Sequence, residues 1–438
     1  MSYQDTIDYL YSRLPMFSRI GAAAIKNDLD NTISICKYVG NPEKKFKTIH
    51  VAGTNGKGST SHMLASIFQE AGYTTGLYTS PHLYDFRERI KVNGEMCSKE
   101  FVTSFTNRMK VLIEEIEPSF FELTVGMAFE YFAKNKCDIA IIETGLGGRL
   151  DSTNVISPEL SIITNIGWDH MALLGDTLPK IAAEKAGIIK KETPVVISEI
   201  ISETKEVFDS KANAMQAPIY YAEDFLQLQS FQNNWQTALF EFNQPLIHLL
   251  DAPLFTKNFT VECDLPGKYQ YKNLKGVLVA VQLLSQMGWK LKASKVLTAL
   301  NKVKKNTGLM GRWECIQENP RVVLDVAHNE HGIKALLEQL DTLSYQQLHI
   351  ITGMVKDKDI NAVLNLLPKN ANYYYTQSHL PRALPSNELA AIASAIGLKG
   401  LEFENVNIAL DTAKKNANPN DLIIVIGSIF LVAEVTRN

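Results

Sequence analysis

The chain has 438 residues, of which 45% are hydrophobic and 21% charged, with a formal net charge of −3 at pH 7. That length predicts two domains, not one core, and the near balance of charge supplies no field for nucleic acid or a membrane surface. Cys36, Cys97, Cys137, Cys263 and Cys315 are scattered with no CxxC pair, which reads as reduced thiols, not a disulfide frame or a zinc knuckle.

Along the chain, the N-terminal MSYQDTIDYLYSRLP carries acids where a signal peptide needs an apolar block. The strand candidates of the first half are KTIHVAG, TTGLYTS, CDIAIIETG, LSIITNIG and TPVVIS, separated by helix-length segments. From Pro218 to Glu262 the pattern alternates and is rich in Phe and Gln, which predicts an antiparallel β insertion; an apolar helix is expected over Gly276 to Met287. A second series follows, RVVLDVAHN, QLHIITGMVKD, NYYYTQ and LIIVIGS. The run LIIVIGSIFLVAEV is too short for a bilayer and is broken at Gly427-Ser428, so it reads as strand, turn and helix. The expected fold is α/β: an N-terminal P-loop domain over 1–302 with a parallel sheet and the small antiparallel insertion, a linker over 303–311, and a Rossmann-like domain over 312–438. A cytoplasmic location is expected.

HVAGTNGKGST, His50 to Thr60, holds three glycines, a lysine and three hydroxyl residues between a strand (KTIHV) and a helix. Such a loop turns backbone N–H groups around anionic oxygens, and the helix N-terminus adds its positive dipole end. Asn55, Gly56, Lys57, Gly58, Ser59 and Thr60 are therefore the nucleotide-phosphate candidates, with Lys57 as the point charge for the β- and γ-phosphates. One oddity is Gly58, which places the serine one position late. The helix is expected to show Met63, Leu64, Ile67 and Phe68 on one face and to stop at Gly72. Two imitations carry little weight. NKCD, Asn135 to Asp138, resembles a guanine-reading tetrapeptide but precedes its strand, and GLGGRL, Gly145 to Leu150, lacks dinucleotide spacing.

A nucleotide site needs Mg²⁺ and hence hard oxygen ligands. Glu143 closes the run CDIAIIE, Ser80 follows a strand in TSPHL, and His170 closes NIGWDH. Three polar strand ends are thus expected on one sheet edge, where open α/β sheets bind ligands. His328 and His331 stand three apart, but no third zinc ligand follows them.

Taken together, HVAGTNGKGST, YTSPHL, RERI, SFFELTVGMAF, IETGLGGRLDSTN, TNIGWDH, IAAEKAGIIK, PGKYQ, GRWE, LDVAHN and ITGMVKDKD resemble the folylpolyglutamate synthase/dihydrofolate synthase family of the Mur-ligase superfamily, over nearly the whole chain. Gly58 is itself a trait of that family. The resemblance implies an ATP-dependent amide ligase: the γ-phosphoryl group passes to a carboxylate of dihydropteroate or a reduced folate, and the amino group of L-glutamate displaces phosphate from the acyl phosphate. It implies two Mg²⁺ ions, with Ser80, Glu143, His170 and a carbamylated Lys185 as ligands. Lys57, His170 and Lys185 would be the catalytic set. It places Asn273, Arg312 and Asp325 on ATP, His328 and Ser428 near the incoming glutamate, and Arg89, Phe121 and Asp151 on the substrate side. Contacts to ATP from both lobes imply that domain closure assembles the site. From the residues alone, Asp151 reads equally as a partner for Arg149 or as a turn cap, and Lys185 as a solvated helix charge. The resemblance also implies a monomer with small-molecule substrates only, and no nucleic acid or membrane partner. The alternative is another Mur-type ligase acting on a cell-wall precursor; a regulatory P-loop switch lacks a correctly placed base-reading motif.

Overall fold

Two units divide the chain in the computed structural model, which describes residues 1–24, 26, 28–245, 253–356 and 358–437. The first unit comprises Met1–Gln232, Thr237–Asp264 and Gln270–Leu309, and the second Asn233–Gln236, Leu265–Tyr269 and Met310–Asn438.

The first unit holds strands β1 (Lys47–Ala52), β2 (Thr75–Tyr78), β3 (Ile90–Val92), β4 (Glu95–Met96), β5 (Ile139–Glu143), β6 (Leu160–Ile163), β7 (Val195–Ile197) and β8 (Ile219–Tyr221). They form one sheet in the order β4-β3-β2-β5-β1-β6-β7-β8, parallel from β2 to β8, with β3 and β4 antiparallel at one edge. Every residue of β2, β5 and β6 is buried, as strands covered on both faces require. Because β2, β5, β1 and β6 are parallel neighbours, the segments that follow them leave from a single edge.

The helix after β1, Lys57–Glu70, ends as expected, with Ala71 closing it and Gly72 at φ +97°. Its one-faced apolar pattern is not what the fold uses. All residues from Ser59 to Phe68 are buried, because the sheet lies on one side and the helices Gln270–Gln286, Ala293–Leu300 and Val303–Thr307 on others. Two of its buried polar side chains are satisfied from those helices: the His62 Nδ1 meets Thr307 Oγ1 at 2.7 Å and Ser66 Oγ donates to the Ala299 carbonyl at 2.7 Å.

The expected antiparallel insertion is present but starts later. Ile219–Tyr221 is the last strand of the parallel sheet, and a short helix, Ala222–Phe225, intervenes. Only then come β9 (Gln227–Asn233), β10 (Ala238–Asn243) and β11 (Asn258–Cys263), ordered β11-β10-β9. Residues 246–252 of that stretch lie outside the described residues. The helix expected from Gly276 begins at Gln270, since the buried polar side chains Gln270, Asn273 and Lys275 belong to it.

The second unit contains β12 (Glu314–Glu318), β13 (Arg321–Asp325), β14 (Leu348–Gly353), β15 (Asn372–Tyr375), β16 (Gly400–Glu402) and β17 (Leu422–Gly427). Their order is β12-β13-β17-β14-β15-β16, with β12 antiparallel to β13 and the rest parallel. The four expected strands are the inner ones. Edge strands β12 and β16 escaped the pattern because neither is a buried apolar run. Within 303–311, Val303–Thr307 is helical, with Val303 and Thr307 buried. In the second unit the Trp235 and Trp313 rings stack with centroids 6.3 Å apart, and the Arg321 guanidinium lies 4.0 Å over the centre of Trp235.

Candidate active site

The loop after β1 needs its glycines. Gly53 has φ +153°, and a Cβ there would lie 1.8 Å from Thr164 Oγ1; Gly56 has φ +83°, and a Cβ there would lie 2.1 Å from Asn273 Oδ1. The segment after β6 stitches this loop in place. The Thr54 N–H donates to the Asn165 carbonyl at 2.9 Å, the Asn55 N–H to Asn165 Oδ1 at 2.8 Å, and Thr164 Oγ1 to the Asn55 carbonyl at 2.6 Å. Asn273 is held in turn: its Nδ2 donates to Gln270 Oε1 at 2.7 Å, and Gln270 Nε2 donates to Ser59 Oγ at 3.2 Å. Asn165, Thr164 and Gln270 went unmarked in the sequence, although Thr164 and Asn165 sit in the TNIGWDH motif that marked His170. Thr60 Oγ1 and Ser61 Oγ are buried near the start of the helix with no hydrogen-bond partner among the described residues.

Two lysines meet at this loop. Lys57 Nζ donates to the carbonyls of Gly53 at 3.0 Å and Thr54 at 3.2 Å, and Lys185 Nζ donates to the same Gly53 carbonyl at 2.8 Å. Lys185 is therefore no solvated helix charge: it is 3% exposed. Burial, reinforced by the charge of Lys57, pushes its pKa down to about 7 against the opposing pull of Asp169 and Asp151.

Glu143 ends β5, and its Oε2 accepts the backbone N–H of Ser80 at 3.1 Å, so the segments after two neighbouring strands are tied together at the sheet edge. His170 follows β6 at φ +50°; its N–H donates to Asp169 Oδ1 at 2.9 Å and its ring meets the Phe17 ring edge-on at 5.4 Å. Among the described residues no group of three or more His, Cys, Asp and Glu side chains is gathered to hold a metal, which includes the neighbourhood of His328 and His331.

On the β2 side, Arg89 Nε donates to His82 Nδ1 at 2.7 Å, and its guanidinium lies 5.3 Å from the Phe120 ring centre. Phe121 covers Gly145, where a Cβ would lie 2.5 Å from the ring tip. Asp151 takes the turn-cap reading: its carboxylate accepts the Thr153 N–H at 3.0 Å, the Thr153 hydroxyl, and the Leu146 N–H at 2.8 Å. Arg149 pairs with Glu184 instead, at 2.9 Å. Burial raises the Asp151 carboxyl against those hydrogen bonds.

The same network reaches His50 in β1, whose Nε2 meets Thr153 Oγ1 at 2.8 Å. Burial, then the charge of Lys190, pushes His50 down to about 3. The folded state thus keeps this imidazole neutral where the unfolded chain takes up a proton, so stability falls as pH drops through the window from about 6 to 3, at about 1.4 kcal/mol per pH unit from this one group. Urea titrations across that window should show a shallower acid slope for His50→Gln than for the wild type; an unchanged slope would contradict the assignment.

In the second unit, Asp325 ends β13 and is held from within that unit. Its Oδ2 accepts the Tyr269 hydroxyl and the Trp313 N–H, both at 2.8 Å, and its Oδ1 accepts the Ala327 N–H at 2.9 Å. Burial raises this carboxyl despite the neighbouring charge of Arg312. Arg312 Nη1 donates to the Gly311 carbonyl at 3.2 Å, and His328 Nδ1 stands 2.9 Å from the Val326 carbonyl. Ser428 follows the adjacent strand β17 and caps the helix Ile429–Ala433, accepting the Leu431 N–H at 3.2 Å. Asp325 is in register with Ile426, so Asp325, His328 and Ser428 share the C-terminal edge of this sheet.

Comparison with known proteins agrees with this layout. The Mur ligase middle domain matches residues 51–281, and the Mur ligase glutamate ligase domain matches residues 311–429. The chain is 32% identical to the dihydrofolate synthase/folylpolyglutamate synthase of Bacillus subtilis (strain 168), over 100% of this chain and 99% of that one. The chain belongs to the folylpolyglutamate synthase/dihydrofolate synthase family. Two solved structures of the family share its fold over 99% of its length. Escherichia coli FolC in complex with DHPP and ADP is 27% identical with a TM-score of 0.82, covering 96% of that chain. The bifunctional folylpolyglutamate synthase/dihydrofolate synthase of Yersinia pestis, complexed with AMPPNP and Mn ion, is 26% identical with a TM-score of 0.81, covering 97%. Family membership makes the chain an ATP-dependent ligase, as the resemblance in its motifs implied. No helix among the described residues is long and apolar enough to cross a membrane.

Proposed function

We propose that this chain joins L-glutamate, at the expense of ATP, both to dihydropteroate and to the γ-carboxylate of reduced folates, through an acyl phosphate. The observation that carries this reading is the whole-length likeness to enzymes bearing both synthase names. Nothing observed favours a cell-wall precursor as substrate.

In this reading the N–H groups of Asn55 to Thr60, at the start of the helix Lys57–Glu70, cradle the ATP phosphates. Lys57 leaves the Gly53 and Thr54 carbonyls for the γ-phosphate, an anion it has none of in its own loop. The unpartnered Thr60 hydroxyl fits a phosphate oxygen or a cation. Asn273, Arg312 and Asp325 bind the remainder of the nucleotide, and His328 and Ser428 receive glutamate. Ser80, Glu143 and His170 hold Mg²⁺, with a carbamate on Lys185 adding a further hard oxygen ligand. The cation neutralises charge on the transferring phosphoryl group. Carbamylation needs a neutral amine: the lysine nitrogen adds to the carbon of CO₂ and releases a proton. A buried Lys185 with a pKa near 7 has that amine available at neutral pH, where an ordinary lysine does not. Arg89 binds the substrate carboxylate and Phe121 packs on the pterin, while Asp151 holds the Gly145–Arg149 loop in the shape that seats it. The enzyme acts as a cytoplasmic monomer.

ADP release with Mg-ATP and L-glutamate, with dihydropteroate or a reduced folate as acceptor, tests the reading. Turnover with both is expected. Turnover with only one acceptor overturns bifunctionality, and turnover with neither overturns the folate assignment.

A further inference from the structure

Arg89 is a buried cation that feels the charge of Glu143 from a distance. Only 8% of it is exposed, yet no hydrogen bond or ion pair joins it to an acidic side chain among the described residues. A desolvated charge is ordinarily compensated by an opposite one. Here its Nε–H donates to His82 Nδ1 at 2.7 Å. Guanidinium can only donate, so Nδ1 must accept, and the imidazole is the neutral tautomer with its proton on Nε2. That N–H then donates to the Tyr11 hydroxyl at 3.3 Å. Tyr11 stands on the N-terminal helix Tyr3–Arg13, which also reaches the same segment through Tyr3 Oη and Asp85 Oδ1, at 3.1 Å. A chain of contacts thus runs from that helix through Tyr11 and His82 to the Nε arm of Arg89 and leaves the Nη fork out of it; the guanidinium also meets the neutral Tyr78 hydroxyl, which does not cancel its charge. A carboxylate in place of His82 would aim the guanidinium equally well, but would also cancel its charge. A neutral imidazole aims it and leaves the charge intact.

We propose that His82 is the positioning residue of Arg89, a neutral acceptor that fixes the guanidinium so that its fork receives the carboxylate of the acyl substrate. This rests on the reading of Arg89 as a substrate-side arginine. The fork geometry favours a planar carboxylate bound through two parallel hydrogen bonds.

Asn and Gln separate the two ring nitrogens. His82→Asn places its oxygen where Nδ1 accepts from Arg89, whereas His82→Gln places its polar group near Nε2, facing Tyr11. With a reduced folate as the varied substrate and saturating Mg-ATP and L-glutamate, His82→Leu is expected to raise the folate KM about tenfold or more, the change expected for losing a hydrogen bond to a charged group, with the ATP KM within about twofold of wild type. His82→Asn should recover most of that loss and His82→Gln little of it. Thermal unfolding of each variant checks that the fold is kept. A His82→Leu enzyme with unchanged folate KM, beside an Arg89→Ala enzyme whose KM rises, overturns the role of His82 alone. Equal effects on the ATP and folate KM values, or no difference between Asn and Gln, overturn it too. An Arg89→Ala enzyme with unchanged folate KM overturns the underlying assignment of Arg89, and the proposal with it.

Discussion

Lys57→Ala is expected to lower glutamate-dependent ADP release by at least about 10³-fold, since it removes the ammonium proposed to meet the γ-phosphate and leaves that charge to the backbone N–H groups and Mg²⁺. The fold should persist. Among the described residues Lys57 Nζ bonds to the Gly53 and Thr54 carbonyls of its own loop, and the loop stays stitched to Thr164 and Asn165. Lys57→Arg should not restore activity, because a planar guanidinium differs in shape and reach from a compact ammonium. Near-normal turnover by Lys57→Ala would contradict the mechanism.

Loss of Lys185 is the second large effect. Lys185→Ala should reduce kcat about 10²- to 10³-fold. The chemistry proposed for Lys185 has a signature that no ordinary structural lysine shares: activity of the wild type should decline after prolonged incubation in CO₂-depleted buffer and return on adding bicarbonate. With carbon-13 bicarbonate, a carbamate resonance should appear in the wild type and be missing from Lys185→Ala. Because the neutral amine is the reactive form and its pKa lies near 7, carbamate formation should be favoured as pH rises through neutrality. Full activity in Lys185→Ala, or indifference of the wild type to CO₂, would remove the carbamate from the account.

The inner architecture was legible in the sequence because buried parallel strands are continuous apolar runs, as in Ile139–Glu143 and Leu422–Gly427. The phosphate loop was legible because glycines, lysine and hydroxyl residues coincide between a strand and a helix. What stayed hidden was set by tertiary contact. The helix Lys57–Glu70 is buried all round although His62, Ser61 and Ser66 interrupt its apolar pattern, and partners distant in sequence, Thr307 for His62 and Ala299 and Asn306 for Ser66, accommodate two of these polar side chains. The edge strands β12 and β16 have no buried face to announce them. Asp151 offered two local readings, and the hydrogen bonds from Leu146 and Thr153 decide for the turn cap. For Lys185 the sequence alone favoured solvent, and its burial against Gly53 could not be read from EKAG. His82 passed unnoticed in TSPHL because its meaning depends on which nitrogen faces Arg89.

The most direct test of the central claim follows oxygen atoms. Dihydropteroate and, separately, a reduced folate, each labelled with oxygen-18 in the reacting carboxylate, are incubated with enzyme, Mg-ATP and L-glutamate. Transfer of the γ-phosphoryl group to that carboxylate predicts a product longer by one glutamate together with inorganic phosphate carrying one labelled oxygen. Ligated product accompanied by unlabelled phosphate, or ADP release without ligated product, would contradict it.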